Sequence, residues 1–297
     1  MKSFLAVLAV PAALGLALWA SILVFSALAV FNALVPVDGG VSRVAQNVVY
    51  GPDPRQRLDV YRPEGKASGL PVLVFCYGGA WDSGDRTLYD FAGRSFAAAG
   101  YITILFDYRL VPEARFPAFV EDTAAAIGWA ANHAGEYGGD GSRIFLVGHS
   151  AGAYNVAMAA LDPRYLRAAG VDPAVIAGVA TLSGPFDFLP LDDPATIAAF
   201  GQVKDLAATQ PVNAVSNGAP PFLLLTGDRD RTVYPRNSQR LAARLAEAGV
   251  TAKLVLYEGL GHVDVLTALA RPLRWRAPVL DDIKAFFASL QTSAKRS

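Results

Sequence analysis

Apolar positions along the chain follow two rhythms. Short unbroken apolar runs at 71–75 (PVLVF), 102–106 (ITILF), 144–147 (IFLV), 175–182 and 222–225 alternate with longer, alanine-rich stretches. An unbroken run of this kind suits a strand covered on both faces, because neither side chain direction meets water. Two earlier runs, 44–50 and 58–61, read as opening strands separated by the turn Gly51-Pro52-Asp53-Pro54, and 253–257 reads as the last strand. Residues 89–99, 117–133, 151–161, 237–248 and 279–290 read as helices, two of them stopped by Gly100 and Gly249. Strands alternating with helices predict an α/β fold, a mostly parallel eight-stranded sheet with helices on both faces. In such sheets ligands bind beyond the carboxyl ends of the strands, so chemistry is expected in the loops that follow them.

The N-terminus breaks this pattern. Residues 3–37 carry no charged side chain, and 4–34 exceed the roughly 20 apolar residues that a bilayer-crossing helix needs. The expectation is a single-pass membrane anchor over 1–37 and a catalytic domain over 41–297, with Asp38-Gly39-Gly40 as the hinge between them. Ala27-Leu28-Ala29 also fits a cleavage site, so a removed signal segment stays open, as does a soluble helix. Lys2 and the amino terminus favour an inside N-terminus, which would put the catalytic domain on the extracytoplasmic side.

Composition adds exclusions. Lys plus Arg and Asp plus Glu both number 26 in 297 residues, so nothing points to a nucleic-acid partner. The single cysteine, Cys76, allows neither an internal disulfide nor a cysteine metal cluster, and reads as a small buried strand residue.

The chemistry concentrates after three strands. The run 144–147 leads into Gly148-His149-Ser150-Ala151-Gly152, a G-x-S-x-G motif set between a strand and a helix. The turn demands small flanking residues and lifts Ser150 to a helix N-terminus, where developing negative charge is favoured. A serine needs a base. Of the three histidines, His133 lies upstream and His149 is adjacent on a turn where neighbours point apart. His262, in the glycine-containing loop after the last strand, is the expected base. The acid should follow the preceding strand, in Gly227-Asp228-Arg229-Asp230. Asp230 reaches further into the loop and is preferred, with Asp228 assigned to local turn hydrogen bonds. The glycine-rich loop Cys76–Trp81 follows the third strand and can aim backbone N–H groups at an oxyanion. The amides of Gly79, Ala80 and Ala151 are the expected donors, and Trp81 lines the substrate pocket or packs the loop.

These motifs, with Leu58-Asp59-Val60-Tyr61-Arg62-Pro63 and Asp107-Tyr108-Arg109-Leu110, resemble the esterase/lipase branch of the α/β-hydrolases over residues 45–290. The similarity is greatest to the group containing hormone-sensitive-lipase-like esterases, kynurenine formamidase and isoprenylcysteine methylesterase. Tyr77 stands where that family usually has the histidine of His-Gly-Gly-x-Trp, and the 107–109 segment reads as structural. The resemblance implies hydrolysis of a small-molecule carboxylic ester through an acyl-enzyme, with no metal or organic cofactor. An arylformamidase or other amidase uses the same residues, and a membrane-tethered binding protein on an inactive hydrolase fold is the alternative of another class. A short insert near 186–219 is expected to act as a partial lid over a small or medium acyl group.

Overall fold

The computed structural model describes residues 27–65 and 68–294. Eight strands form one sheet: β1 (Val41–Val49), β2 (Arg57–Pro63), β3 (Leu70–Cys76), β4 (Ile102–Phe106), β5 (Gly139–His149), β6 (Ile176–Leu182), β7 (Phe222–Gly227) and β8 (Ala252–Tyr257). Their order is β1-β2-β4-β3-β5-β6-β7-β8. The β1–β2 and β2–β4 pairs are antiparallel and the rest parallel. Every residue of β4 and β7 is buried, as the unbroken apolar runs require of strands covered on both faces.

The connection that matters lies around β3. The chain leaves β3 to form β4 on one side, then returns to lay β5 on the other. The loops after β3 and β5 therefore diverge at the carboxyl edge, leaving a crevice between them. The glycine-rich 77–81 segment and Ser150 both border it.

The predicted strands fall where the apolar runs stand, with one extension. β5 begins at Gly139, because Gly139 and Asp140 pair with Leu70 and Pro71 through backbone groups that hydrophobicity does not register. The helices Ala151–Leu161, Ala118–His133 and Arg236–Glu247 match expectation closely. The sequence signals neither Pro163–Ala168 nor His262–Thr267, for each has only 6 residues, too few for an amphipathic period to show.

The N-terminal expectation is corrected. Among the described residues no helix is long and apolar enough to cross a membrane, so the single-pass placement and the extracytoplasmic orientation built on it fall. The part of that expectation covering residues 1–26 lies outside the described residues. Residues 27–34 are helical, but they dock on the domain. Leu28 is buried, Phe31 meets Phe91 edge-on at 5.2 Å, and Asn32 donates to the Thr87 carbonyl while accepting from the Phe91 amide. Asp38 is no free hinge either, for its carboxylate binds the Arg274 guanidinium at 2.6 and 3.0 Å.

Candidate active site

β5 ends at His149, and Ser150 turns the chain with φ 54° and ψ −123°. That backbone conformation is costly for a residue with a Cβ, about 1–3 kcal/mol, and persists only when its surroundings hold it. Here the Ser150 amide donates to Leu182 O at 2.9 Å, and the amides of Ala153 and Tyr154 close on Ser150 O. Both motif glycines are sterically required. A Cβ on Gly148 would lie 2.4 Å from Gly152 O, and one on Gly152 would lie 2.2 Å from Cys76 O. The helix Ala151–Leu161 starts directly behind Ser150, pointing its positive end at the hydroxyl.

The other two side chains arrive from the far end of the sheet. The loops after β7 and β8 lie so close that a Cβ on Gly227 would sit 2.1 Å from Leu260 O. Arg229 N donates to Leu260 O, and Gly259 N donates to the Asp228 carboxylate at 2.8 Å. Asp228 is thus committed to the neighbouring loop, a longer-range contact than the local turn expected of it. His262 begins the helix His262–Thr267, whose Asp264 carboxylate accepts from Gly261 N.

The three chemistry-bearing side chains meet. Ser150 Oγ lies 2.9 Å from His262 Nε2, and His262 Nδ1 lies 2.8 Å from Asp230 Oδ2. An ionised carboxylate can only accept, so Nδ1 carries the ring proton and Nε2 is left as acceptor for the serine O–H. The remaining Asp230 oxygen accepts from the amides of Thr232 and Val233. Burial pushes the Asp230 carboxyl up, but the hydrogen bond and charge of His262 and the Val233 amide outweigh it and hold the group below its ordinary range. It is 2% exposed.

His149, which its place next to Ser150 on the turn would point away, belongs to this cluster. Its ring centroid is 4.9 Å from that of His262, and its Nε2 lies 3.3 Å from His262 O. A carbonyl accepts, so Nε2 carries the proton, and the buried Nδ1 has no partner among the described residues. Burial, reinforced by the His262 charge, pushes its pKa down to about 3. No spacing rule could have found this contact, since the two residues are 113 apart in sequence. His133, by contrast, pairs with Glu136 on the surface.

The loop after β3 is strained in the same neighbourhood: Gly79, Ala80 and Trp81 all have positive φ, at 145°, 50° and 62°. Tyr77, which replaces the family histidine, points away into a stack with Tyr89 and Tyr108, and its hydroxyl accepts from Arg55 at 2.9 Å. Trp81 is 3% exposed, its indole N–H donating to Asn155 Oδ1 at 3.0 Å among Phe119, Tyr154 and Phe200. It is therefore chiefly loop packing, with one side on a cavity. The 107–109 segment is structural as expected: Asp107 receives Arg86, and Arg109 clasps Asp122. Cys76 is fully buried, and burial raises its thiol pKa.

Two cavities open at Ser150. One of about 330 Å³ runs beneath residues 185–196 and includes Ala151, Trp81 and Phe188 in its walls. The other, about 510 Å³, is bounded by Gly79, His262 and the helical residues 27–31. The segment 186–219 is pinned rather than loose: Asn237 Oδ1 accepts from the amides of Phe186 and Asp187, and Gln210 accepts from that of Phe188.

Comparison with known proteins agrees with this architecture. Residues 58–245 match the BD-FAE family. The chain is 31% identical over 254 residues to a probable isoprenylcysteine alpha-carbonyl methylesterase of Arabidopsis thaliana, covering 78% of this chain and 53% of that protein. It is 32% identical over 235 residues to the carboxylesterase NlhH of Mycobacterium tuberculosis, covering 72% of each. The chain spans 53%, 62% and 63% of the lengths of three plant methylesterases that it matches. Among solved structures, esterase B of Lactobacillus rhamnosis inhibited by a tributyrin phosphonate superposes with a TM-score of 0.84 at 22% identity, over 96% of this chain and 97% of that one, which shows the shared fold. On its sheet order, its strand–Ser150–helix turn and these matches, the chain belongs to the BD-FAE family of the α/β-hydrolase esterases.

Proposed function

We propose that the protein hydrolyses carboxylic esters through an acyl-enzyme on Ser150. The observation that carries this reading is the continuous hydrogen-bonded chain from Ser150 Oγ through both nitrogens of His262 to Asp230, 2.9 and 2.8 Å long. In the proposed mechanism Ser150 Oγ attacks the ester carbonyl carbon as its proton passes to His262 Nε2. Asp230 stabilises the imidazolium and keeps its orientation without accepting the proton. The amides of Gly79, Ala80 and Ala151 receive the oxyanion, and a single donor of this kind contributes about 2.7–4 kcal/mol to lowering the barrier. His262 then gives its proton to the leaving alkoxide, the C–O bond breaks, and the alcohol departs. A water molecule, deprotonated by His262, attacks the acyl-enzyme and releases the carboxylic acid and Ser150. Trp81 and the pinned segment 186–219, acting as a partial lid, would shape one substrate limb.

The test is labelling by a fluorophosphonate, which reacts only with an activated serine, alongside turnover of p-nitrophenyl butanoate. The expected outcome is a single adduct on Ser150, with both adduct and turnover absent in Ser150→Ala. Folded protein that neither labels nor turns over the ester would refute the reading.

A further inference from the structure

We infer that the apolar helical segment 27–34 is part of the substrate site, forming the far wall of a pocket for the alcohol limb of an ester bearing a long hydrocarbon alcohol. The inference rests on the esterase reading above and goes on to name the substrate class.

The starting point is geometric. Ala80, Ser150 and Thr232 line both cavities, so the two meet at the nucleophile. A tetrahedral intermediate on Ser150 has three further substituents: the oxyanion, the acyl limb and the leaving oxygen with its alcohol limb. The oxyanion belongs to the backbone amides, which leaves two limbs for two cavities. Proton transfer decides between them. His262 Nε2 must come within hydrogen-bond reach of the leaving oxygen, so the alcohol limb must leave along the imidazole. His262 lines only the larger cavity of the two.

The chemistry of that cavity's walls then describes the alcohol. Among the described residues no Asp, Glu, Lys or Arg lines it; Leu28, Phe31, Tyr89, Val263 and Leu266 do. The other cavity carries Asp187, Asp192, Asp193 and Arg236. Leu28 and Phe31 stand three positions apart, on one face of the helical turn, and that face is turned inward. The segment is held there by the hydrogen bonds of Asn32 and by Asp38 on Arg274. At about 510 Å³ the space falls within the roughly 300–1,000 Å³ usual for small-molecule sites. An uncharged apolar pocket on the leaving-group side rewards each methylene withdrawn from water, about fourfold in affinity per group.

Isomeric esters separate the limbs without changing overall hydrophobicity. With the full chain, kcat/KM is measured for octyl butanoate and for its isomer ethyl decanoate, and for ethyl butanoate as the short reference. The expected result is that octyl butanoate exceeds ethyl decanoate by about tenfold or more. In Leu28→Arg, the preference for octyl over ethyl butanoate falls by about tenfold or more, and in Leu28→Ala by a smaller factor. A preference for ethyl decanoate, or an unchanged octyl-to-ethyl ratio in folded Leu28→Arg, would overturn the inference. The wild-type isomer comparison stands alone if the arginine variant fails to fold. Failure of the esterase reading looks different, with no ester turned over and Ser150 unlabelled, and the inference falls with it.

Discussion

Asp230 uses its two oxygens for different partners, one for His262 and the other for the amides of Thr232 and Val233. Those amides dictate what an asparagine would do there. They would claim its carbonyl oxygen and turn its NH2 toward His262 Nδ1, forcing the ring proton onto Nε2, where it blocks transfer from Ser150. Asp230→Asn is expected to lower kcat on p-nitrophenyl butanoate by on the order of 10⁴. Asp228→Asn keeps an acceptor for Gly259 N and should stay within about tenfold; the opposite ranking would move the acid to Asp228. His149 gives a prediction on stability. Its pKa is pushed from an ordinary 6.5 down to about 3, so the unfolded chain takes up a proton that the fold refuses. The stability contributed by the neutral ring is complete above the unfolded value and is lost as pH falls toward the folded one. From pH 6.5 to pH 5 that loss is on the order of 1–2 kcal/mol, and urea unfolding of His149→Asn should show it removed.

The turn at Ser150 joins β5 to the helix Ala151–Leu161, and its tolerance for side chains follows from how closely the elements around it approach. A methyl group on Gly152 would meet two backbone oxygens, Cys76 O at 2.2 Å and Tyr77 O at 2.4 Å, neither able to swing aside. The helix Ala151–Leu161 would have to retreat from β3, taking the Ala151 amide with it. Gly152→Ala is expected to cost about 1–3 kcal/mol in denaturant unfolding and to lower kcat. Gly135→Ala, with nothing within 4 Å of the new methyl, is the control and should remain within about 0.5 kcal/mol. The same logic separates what was readable from what was not. Tight packing around Ser150 is written in the two motif glycines, whereas His262–Thr267 is too short for any periodic signal and is set by the closure of the loops after β7 and β8.

Across the whole molecule, an early segment of the described chain meets a late one. Asp38, early in the described chain, grips Arg274, which lies 236 positions later and also donates to Leu269 O and Ser95 Oγ. Arg274→Ala leaves a partly buried carboxylate without its cation and is expected to cost about 1–3 kcal/mol. The loss should appear as faster amide hydrogen exchange over residues 27–38, with β3 and β5 still protected. Equal acceleration throughout would mean that the segment is no separate unit. An N-terminal apolar stretch reads as a membrane anchor on length and hydropathy. In the structure, residues 27–34 bury their apolar face on the domain instead, because Phe31 and Asn32 find Phe91 and Thr87 at the right height.

By itself the sequence determined the sheet, its strand order of appearance, the turn that carries Ser150, and the loops that hold His262 and Asp230. Those depend on local signals: unbroken apolar runs, obligatory glycines and the succession of loops after strands. Only the tertiary structure decided which buried groups support them and where a substrate could lie. The His149–His262 contact, the Tyr77 stack, the commitment of Asp228 to Gly259 and the two cavities all join residues far apart in the chain. Contacts of that kind leave no period or spacing behind, because they are fixed by where the sheet's twist and the loop closures bring distant backbones together.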